Sequence, residues 1–201
     1  EKLTINLIND WINQGHEIEL LLMKKEGPLL KELNNQKIKI FNLNSKNMLS
    51  AFLPLYKFFK QNQIDIVWGN MWPLTSIIIF AWILSGKKGK LFVTEHNPLT
   101  YEISQYSKLK EFILRFIFAL SYRNATGIST VSKGIKKNLS KLAFINKNKI
   151  KVIYNPVAIG NNKIKQLFNF KENLWNPKYS TKLLSVGNLK VQKNHKLLIN
   201  A

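Results

Sequence analysis

Short runs of β-type sequence alternate with stretches of helical period along most of this chain, and few folds are open to a chain built that way. The β-type runs are "HEIELLLMKK", "KIKIFNLN", "IDIVWGN", "KLFVT", "TGISTVS" and "KIKVIYNP". Between them lie stretches whose apolar residues recur every three or four positions, the mark of one face of a helix. Leu3, Leu7, Ile8, Trp11 and Ile12 form the first such stripe, and Gly15 follows as a stop. A short helix is expected from Pro28 to Asn34 behind Gly27, and a longer one from Met48 to Asn62, with Pro54 kinking it or marking a break. Pro73 to Leu84 reads as the next helix, and Ser132 as the N-cap of "KGIKKNLSK". Strands that alternate with helices cannot be joined by hairpins; they build a parallel sheet with helices packed on both faces, the Rossmann-like α/β arrangement. Ligands of such sheets bind beyond the carboxyl ends of the strands, where loops gather and helix N-termini present partial positive charge.

Length and composition fit this fold. The 201 residues suffice for one sizeable α/β domain plus part of another, and with 45% hydrophobic and 11% aromatic residues burial can offset the entropy of ordering the chain. The absence of cysteine excludes disulfides and thiolate metal sites. "LTSIIIFAWIL", from Leu74 to Leu84, is too short for a membrane span of about 20 residues and reads as a buried helix. The formal charge of +20 favours an anionic partner: a phosphorylated ligand, an anionic membrane or nucleic acid. Lysine, asparagine and isoleucine are abundant together, however, as a biased base composition would make them, so most single lysines simply solvate the surface.

Texture divides the chain. Residues 1–156 carry the strand and helix series of a first domain; 157–181 are polar, rich in Asn and Lys and without period, as in a connection. Residues 182–201 read as a strand, a loop opened by Gly187 and a first helix, the start of a second α/β domain. Because the chain opens on a helix, a first strand is expected upstream of Glu1, so that the fold is truncated at both ends.

Chemistry is expected at the strand tips. His96 follows the strand "KLFVT" through Glu95; its neighbours Glu95 and Asn97 offer an acceptor and an amide to fix the ring tautomer, and Pro98 stiffens the loop. A lone histidine is otherwise more often a structural hydrogen-bonding group. Ser132 presents a hydroxyl at a helix N-terminus, although capping alone accounts for it, and Gly69 with Asn70 forms a turn after the third strand, where glycine allows a positive φ. Gly187 permits close backbone approach and Lys193 stands near the start of the last helix, a pairing suited to a diphosphate by geometry and charge. No metal site is expected: His16, His96 and His195 fall in different elements, with no HExxH pattern beside them, and no G-x-S-x-G elbow supports serine hydrolysis.

The order of these motifs resembles the family 4 glycosyltransferases, retaining enzymes of the two-domain GT-B architecture. The resemblance is carried by "EKLTINLINDWINQGHEIELLLMKKEGPL", "TEHN", "STVSKGIKKNL" and "VIYNPV" followed by "LLSVGNLKVQKNHKLLINA". It implies that residues 1–156 form the acceptor-side N-terminal domain and that 182–201 begin the nucleotide-sugar-binding domain, so that this stretch alone would be inactive. It implies a hexosyltransferase that moves a sugar from a nucleotide donor to a glycan or lipid-linked acceptor in cell-surface polysaccharide synthesis, such as that of capsule or lipopolysaccharide. No metal or cofactor is implied, the nucleotide sugar being a substrate. Residue by residue, His96 matches the family's active-site histidine and Lys193 the lysine on the donor diphosphate; Gly187 and Asn188 complete the donor loop, and Glu95, Asn97, Ser132 and Asn70 are candidate substrate contacts. The family usually shows arginine where Asn188 stands, and an amide supplies neither its charge nor its paired donors.

Two readings of other classes compete: a basic nucleic-acid-binding α/β protein and a non-catalytic GT-B-like binding domain. Nucleic acid is disfavoured, since the lysines spread along the chain and no RNP, zinc-finger or helix-turn-helix pattern appears. The stretch from Lys108 to Arg123 has apolar residues at Leu109, Phe112, Ile113, Phe116, Ile117 and Leu120, flanked by Lys108, Lys110, Arg115 and Arg123. It reads first as a core helix with solvated basic edges, and second as a helix lying on an anionic membrane. The expected location is the cytoplasm, with peripheral contact on the inner face of the plasma membrane as the extension of that second reading.

Overall fold

The computed structural model describes residues 2–33, 37–156, 184–185, 187 and 194–200. The chain divides into two compact units, Glu1–Pro156 and Val157–Ala201.

The first unit opens with α1 (Lys2–Asn13), whose Ile5, Ile8 and Ile12 are buried. Gly15, at φ +90°, ends it: its N–H bonds the Ile12 carbonyl at 3.1 Å while His16 N–H bonds the Trp11 carbonyl at 3.0 Å. Strands β1 (Ile18–Leu22) and β2 (Ile38–Asn42) pair in parallel, Ile18 opposite Ile38. A 3₁₀ turn at Pro28–Glu32 lies between them and is tied to α1 by the Lys2–Glu32 ion pair and by an Asn9 to Glu32 carbonyl bond of 2.9 Å. A second 3₁₀ turn, Leu49–Ala51, leads into α2 (Phe52–Gln61). The expected break at Pro54 is therefore displaced: proline sits in the first helical turn, where its missing N–H costs nothing.

Four further strands complete the unit: β3 (Ile66–Asn70), β4 (Lys90–Glu95), β5 (Gly127–Thr130) and β6 (Ile150–Val152), all parallel and in that spatial order. They are joined by α3 (Leu74–Leu84), by α4 (Leu99–Ile103) with α5 (Lys108–Tyr122), and by α6 (Lys133–Leu142). Both sheets are parallel and both carry helices, the Rossmann-like α/β fold expected from the alternation. Leu91, Val93 and Glu95 point to the face where α3, α5 and α6 pack. Gly69 points the same way. It does not supply a positive φ, as the turn reading expected; Met71, at +64°, does. A Cβ on Gly69 would stand 3.0 Å from Ile78 Cδ1, so the missing side chain lets α3 pack close on β3 without displacing the Ile78 tip. The opposite face, which carries Trp68, receives α1, whose Trp11 ring meets Trp68 edge-on at 5.2 Å.

Helix α3 is buried nearly all round, as its sequence requires. Helix α4 falls where sequence reading placed no element: it is five residues long, but Leu99 and Ile103 are almost completely buried. Helix α5 departs furthest from expectation. Its core-facing side chains are Leu114, Phe118 and Tyr122, whereas Leu109, Phe112, Ile113, Phe116 and Leu120 are 72%, 70%, 49%, 61% and 47% exposed. The helix carries two apolar stripes, and the i, i+4, i+8 set wins the core because Tyr122 brings a hydroxyl that the interior binds. No helix among the described residues is long and apolar enough to cross a membrane.

In the second unit the described helix is α7 (His195–Ile199), preceded by Asn194 in the left-handed region at φ 47°. The expected strand at Leu183 to Val186 lies largely outside the described residues.

Candidate functional site

The parallel register brings the predicted residues of β3, β4 and β5 to one edge. Asn70 stands opposite Thr94, and Glu95 opposite Thr130. Pairing continues past the strand ends, with Met71 N–H on the Thr94 carbonyl at 3.0 Å and Val131 N–H on the Glu95 carbonyl at 3.3 Å. Neighbouring strands are about 4.8 Å apart. Asn70, His96 and Ser132 therefore follow one another along the carboxyl tips of three adjacent strands, with Asn97 next to His96.

Glu95 itself is turned away from this edge. Only 1% exposed, its carboxylate accepts from Trp72 N–H at 3.1 Å, from the Thr75 hydroxyl at 2.7 Å and from the Tyr122 hydroxyl at 2.5 Å. It is thus neither a substrate contact nor the acceptor that fixes the His96 tautomer, the two roles its sequence position suggested. The physical reason is β alternation, which puts Glu95 on the same buried face as Leu91 and Val93. Its part is to hold the β3–α3 turn and α5 against the base of the His96 loop.

Burial pushes the Glu95 carboxyl above its usual range, against its bonds from Tyr122, Thr75 and Trp72, which favour the ionised form. The oxygen geometry points the same way. Glu95 Oε1, Thr75 Oγ1 and Tyr122 Oη form a triangle whose third side, Thr75 to Tyr122, is 2.8 Å. With both hydroxyl protons on Glu95 Oε1 the Thr75–Tyr122 side is left open; it closes when Glu95 carries a proton of its own and one hydroxyl turns to the other, each oxygen then donating once and accepting once. Burial and the neighbouring Glu95 charge also push the Tyr122 hydroxyl well above its ordinary value.

His96 is half-buried, and no hydrogen bond from its ring to another side chain forms among the described residues. Desolvation lowers its proton affinity, so near neutral pH the ring presents one N–H donor and one bare nitrogen acceptor. Asn70 contributes a buried side-chain carbonyl oxygen with no partner among the described residues, an acceptor waiting at the same edge. Ser132 is committed: its Oγ accepts from Ile135 N–H at 3.2 Å as the N-cap of α6. What remains at Ser132 for a ligand is its hydroxyl proton. Asn97 is half-buried and Pro98 opens α4 with φ −66°.

Sequence reasoning missed Thr75, Trp72 and Tyr122, which position the His96 loop through Glu95. The available signal was the pair of hydroxyl residues, Thr75 and Ser76, in an otherwise apolar helix, since a buried hydroxyl needs a partner. Of the expected donor-loop residues, Gly187 is exposed in the second unit, while Asn188 and Lys193 lie outside the described residues.

An edge of parallel strand tips that presents a neutral imidazole, an unpartnered amide oxygen and a helix N-terminus can hydrogen-bond a polyhydroxylated ligand from several directions. No curated protein matches the chain. The family model described as Glycosyltransferase Family 4 matches residues 1–160, which include the whole of the first unit. With its parallel α/β architecture, the chain belongs to glycosyltransferase family 4.

Proposed function

We propose that this glycosyltransferase moves a hexosyl group from a nucleotide-sugar donor to a glycan or lipid-linked acceptor, with retention of anomeric configuration, in the synthesis of a cell-surface polysaccharide such as capsule or lipopolysaccharide. The observation that carries the reading is His96: a half-buried imidazole, kept neutral by desolvation, just past the carboxyl end of β4, at the same sheet edge as the unpartnered Asn70 oxygen.

In the proposed reaction the bond from the anomeric carbon to the diphosphate oxygen breaks, and its electron pair leaves with the nucleoside diphosphate. An acceptor hydroxyl oxygen bonds the same face of the anomeric carbon and its proton passes to the departing phosphate oxygen. Charge thus grows on the diphosphate while the sugar becomes oxocarbenium-like. Lys193 and backbone amides at the Gly187 loop would bear that negative charge, with no metal required of them. His96 would donate to, or accept from, a hydroxyl of the donor sugar and fix its ring against the acceptor. Asn188, an amide where the family usually shows arginine, leaves more of the diphosphate charge to Lys193.

Replacing His96 by Ala in the intact protein tests this. Loss of one transition-state hydrogen bond costs about 10² to 10³ in kcat, with donor affinity by calorimetry nearly unchanged. A variant that turns over nucleotide sugar at the wild-type rate would remove His96 from the site.

A further inference from the structure

Helix α5 has two opposite apolar faces, and only one of them is used by the domain. At about 100° per residue, Leu109, Phe112, Ile113, Phe116 and Leu120 fall within an arc about 100° wide. Leu114, Phe118 and Tyr122, which enter the core, lie on the other side of the helix, centred about 180° away. The outer arc is therefore a ridge of large apolar side chains that the domain leaves in water, where isolated apolar residues would be unremarkable but five in one stripe are not.

Charge defines what the ridge faces. Lys110 lies along one edge of the arc, Lys108 and Arg115 along the other, and Arg123 near its C-terminal end. Lys110 is seated over the Tyr106 ring at 3.8 Å, and Arg123 donates to the Phe144 carbonyl at 3.1 Å beside another exposed aromatic. Glu111 is the single acidic residue of α5; it lies on the core side, bonded to Arg115 at 2.6 Å. The outer arc thus carries no negative charge. A second copy of the chain would bring like-charged edges together, on molecules that each carry +20. A convex apolar stripe bordered by cations on both edges instead matches the boundary of an anionic bilayer, with acyl carbon at the centre and phosphates to either side.

We propose that the outer face of α5 docks the protein on an anionic lipid surface, with Leu109, Phe112, Ile113, Phe116 and Leu120 entering the headgroup boundary and Lys108, Lys110 and Arg123 meeting lipid phosphates. The core reading of this stripe is thereby replaced by its alternative. Docking of this kind requires nothing of the sugar chemistry and is read without donor or acceptor, so it stands or falls apart from the proposed reaction.

The experiment is co-sedimentation of the intact protein with vesicles of phosphatidylcholine, alone or mixed with phosphatidylglycerol, at low and high salt. The wild type is expected to pellet with the mixed vesicles and to be released as salt rises. F112S/F116S should weaken that binding at least about tenfold while its thermal melting curve stays that of the wild type. K108E/K110E should weaken it at low salt. Failure of the wild type to bind mixed vesicles would overturn the proposal, as would undiminished binding by F112S/F116S, which would assign the attraction to diffuse charge. Equal binding to neutral vesicles would overturn its anionic half. A dimer abolished by F112S/F116S, with no vesicle binding, would make the face a protein interface instead.

Discussion

The two faces of α5 carry similar residues and meet opposite fates. Inward, Phe118 and Tyr122 are fully buried, their rings edge-on at 5.9 Å, with Trp72 against Phe118 at 5.7 Å. Outward, Phe112 and Phe116 stand mostly in water. Hydrophobicity is nearly matched between the stripes, so it cannot choose the core. The choice falls to the hydroxyl of Tyr122, for which the interior supplies Glu95 and Thr75, and to the shape that α3 and the sheet offer to Leu114 and Phe118. A polar group with a reserved partner orients the helix; the apolar bulk on the other side is left for a different solvent.

The comparison is broken most forcefully from the inside. Phe118→Ala removes a fully buried ring from the contact between α5, Trp72 and Tyr122, and truncations of that kind cost about 3 to 5 kcal/mol. Urea denaturation should show a correspondingly lower midpoint. An effect below about 1 kcal/mol would mean that the inner face is no better packed than the outer one.

A smaller effect distinguishes the polar part of the inner face. Because the folded state raises the Glu95 carboxyl, it holds that proton more tightly than the unfolded chain does. The stability this provides is complete below the ordinary value of 4.5 and is lost as pH rises from there through the folded value. This is the reverse of the usual carboxylate, whose contribution disappears on acidification. Glu95→Gln keeps an acceptor for Trp72 N–H and offers two N–H donors to the hydroxyls, so it should cost only about 1 kcal/mol and abolish this slope. The check is the urea midpoint measured against pH for both proteins; parallel curves would show that folding leaves the proton affinity of Glu95 unchanged, and a difference that grows in favour of the wild type as pH rises would show that the fold holds it ionised.

These contrasts mark where sequence could be read and where it could not. Strand and helix alternation dictated the parallel α/β fold because period is a local property, visible in "KLFVTE" or in Leu3, Leu7 and Ile8 without knowledge of any neighbour. It also placed His96 at a strand tip, since position along a strand is local too. Which way Glu95 pointed was available from alternation with Leu91 and Val93, but its polarity and its place beside His96 drew attention to the wrong side of the sheet. Helix α4 was hidden because five residues give a period too little length to register. The close packing at Gly69 lay in Ile78, a residue of the next helix, and the orientation of α5 lay in Glu95, 27 positions before Tyr122. Features decided by distant partners leave no periodic trace.

The smallest expected effect sharpens the comparison most. Phe116→Ser replaces a large aromatic residue by a small polar one in mid-helix, a change that would be ruinous at Phe118. At a side chain 61% exposed, little apolar surface is returned to water on unfolding, so little burial energy is lost. Serine has a somewhat weaker claim on helix than the best formers but is close to phenylalanine, and the position is far from either end of α5. The net change in unfolding free energy should therefore stay within about 0.5 kcal/mol, against several for the inner face. Paired urea curves of Phe116→Ser and Phe118→Ala give the ratio directly. If Phe116→Ser costs as much as Phe118→Ala, another part of the protein already covers the outer stripe, and the ridge faces protein instead of lipid.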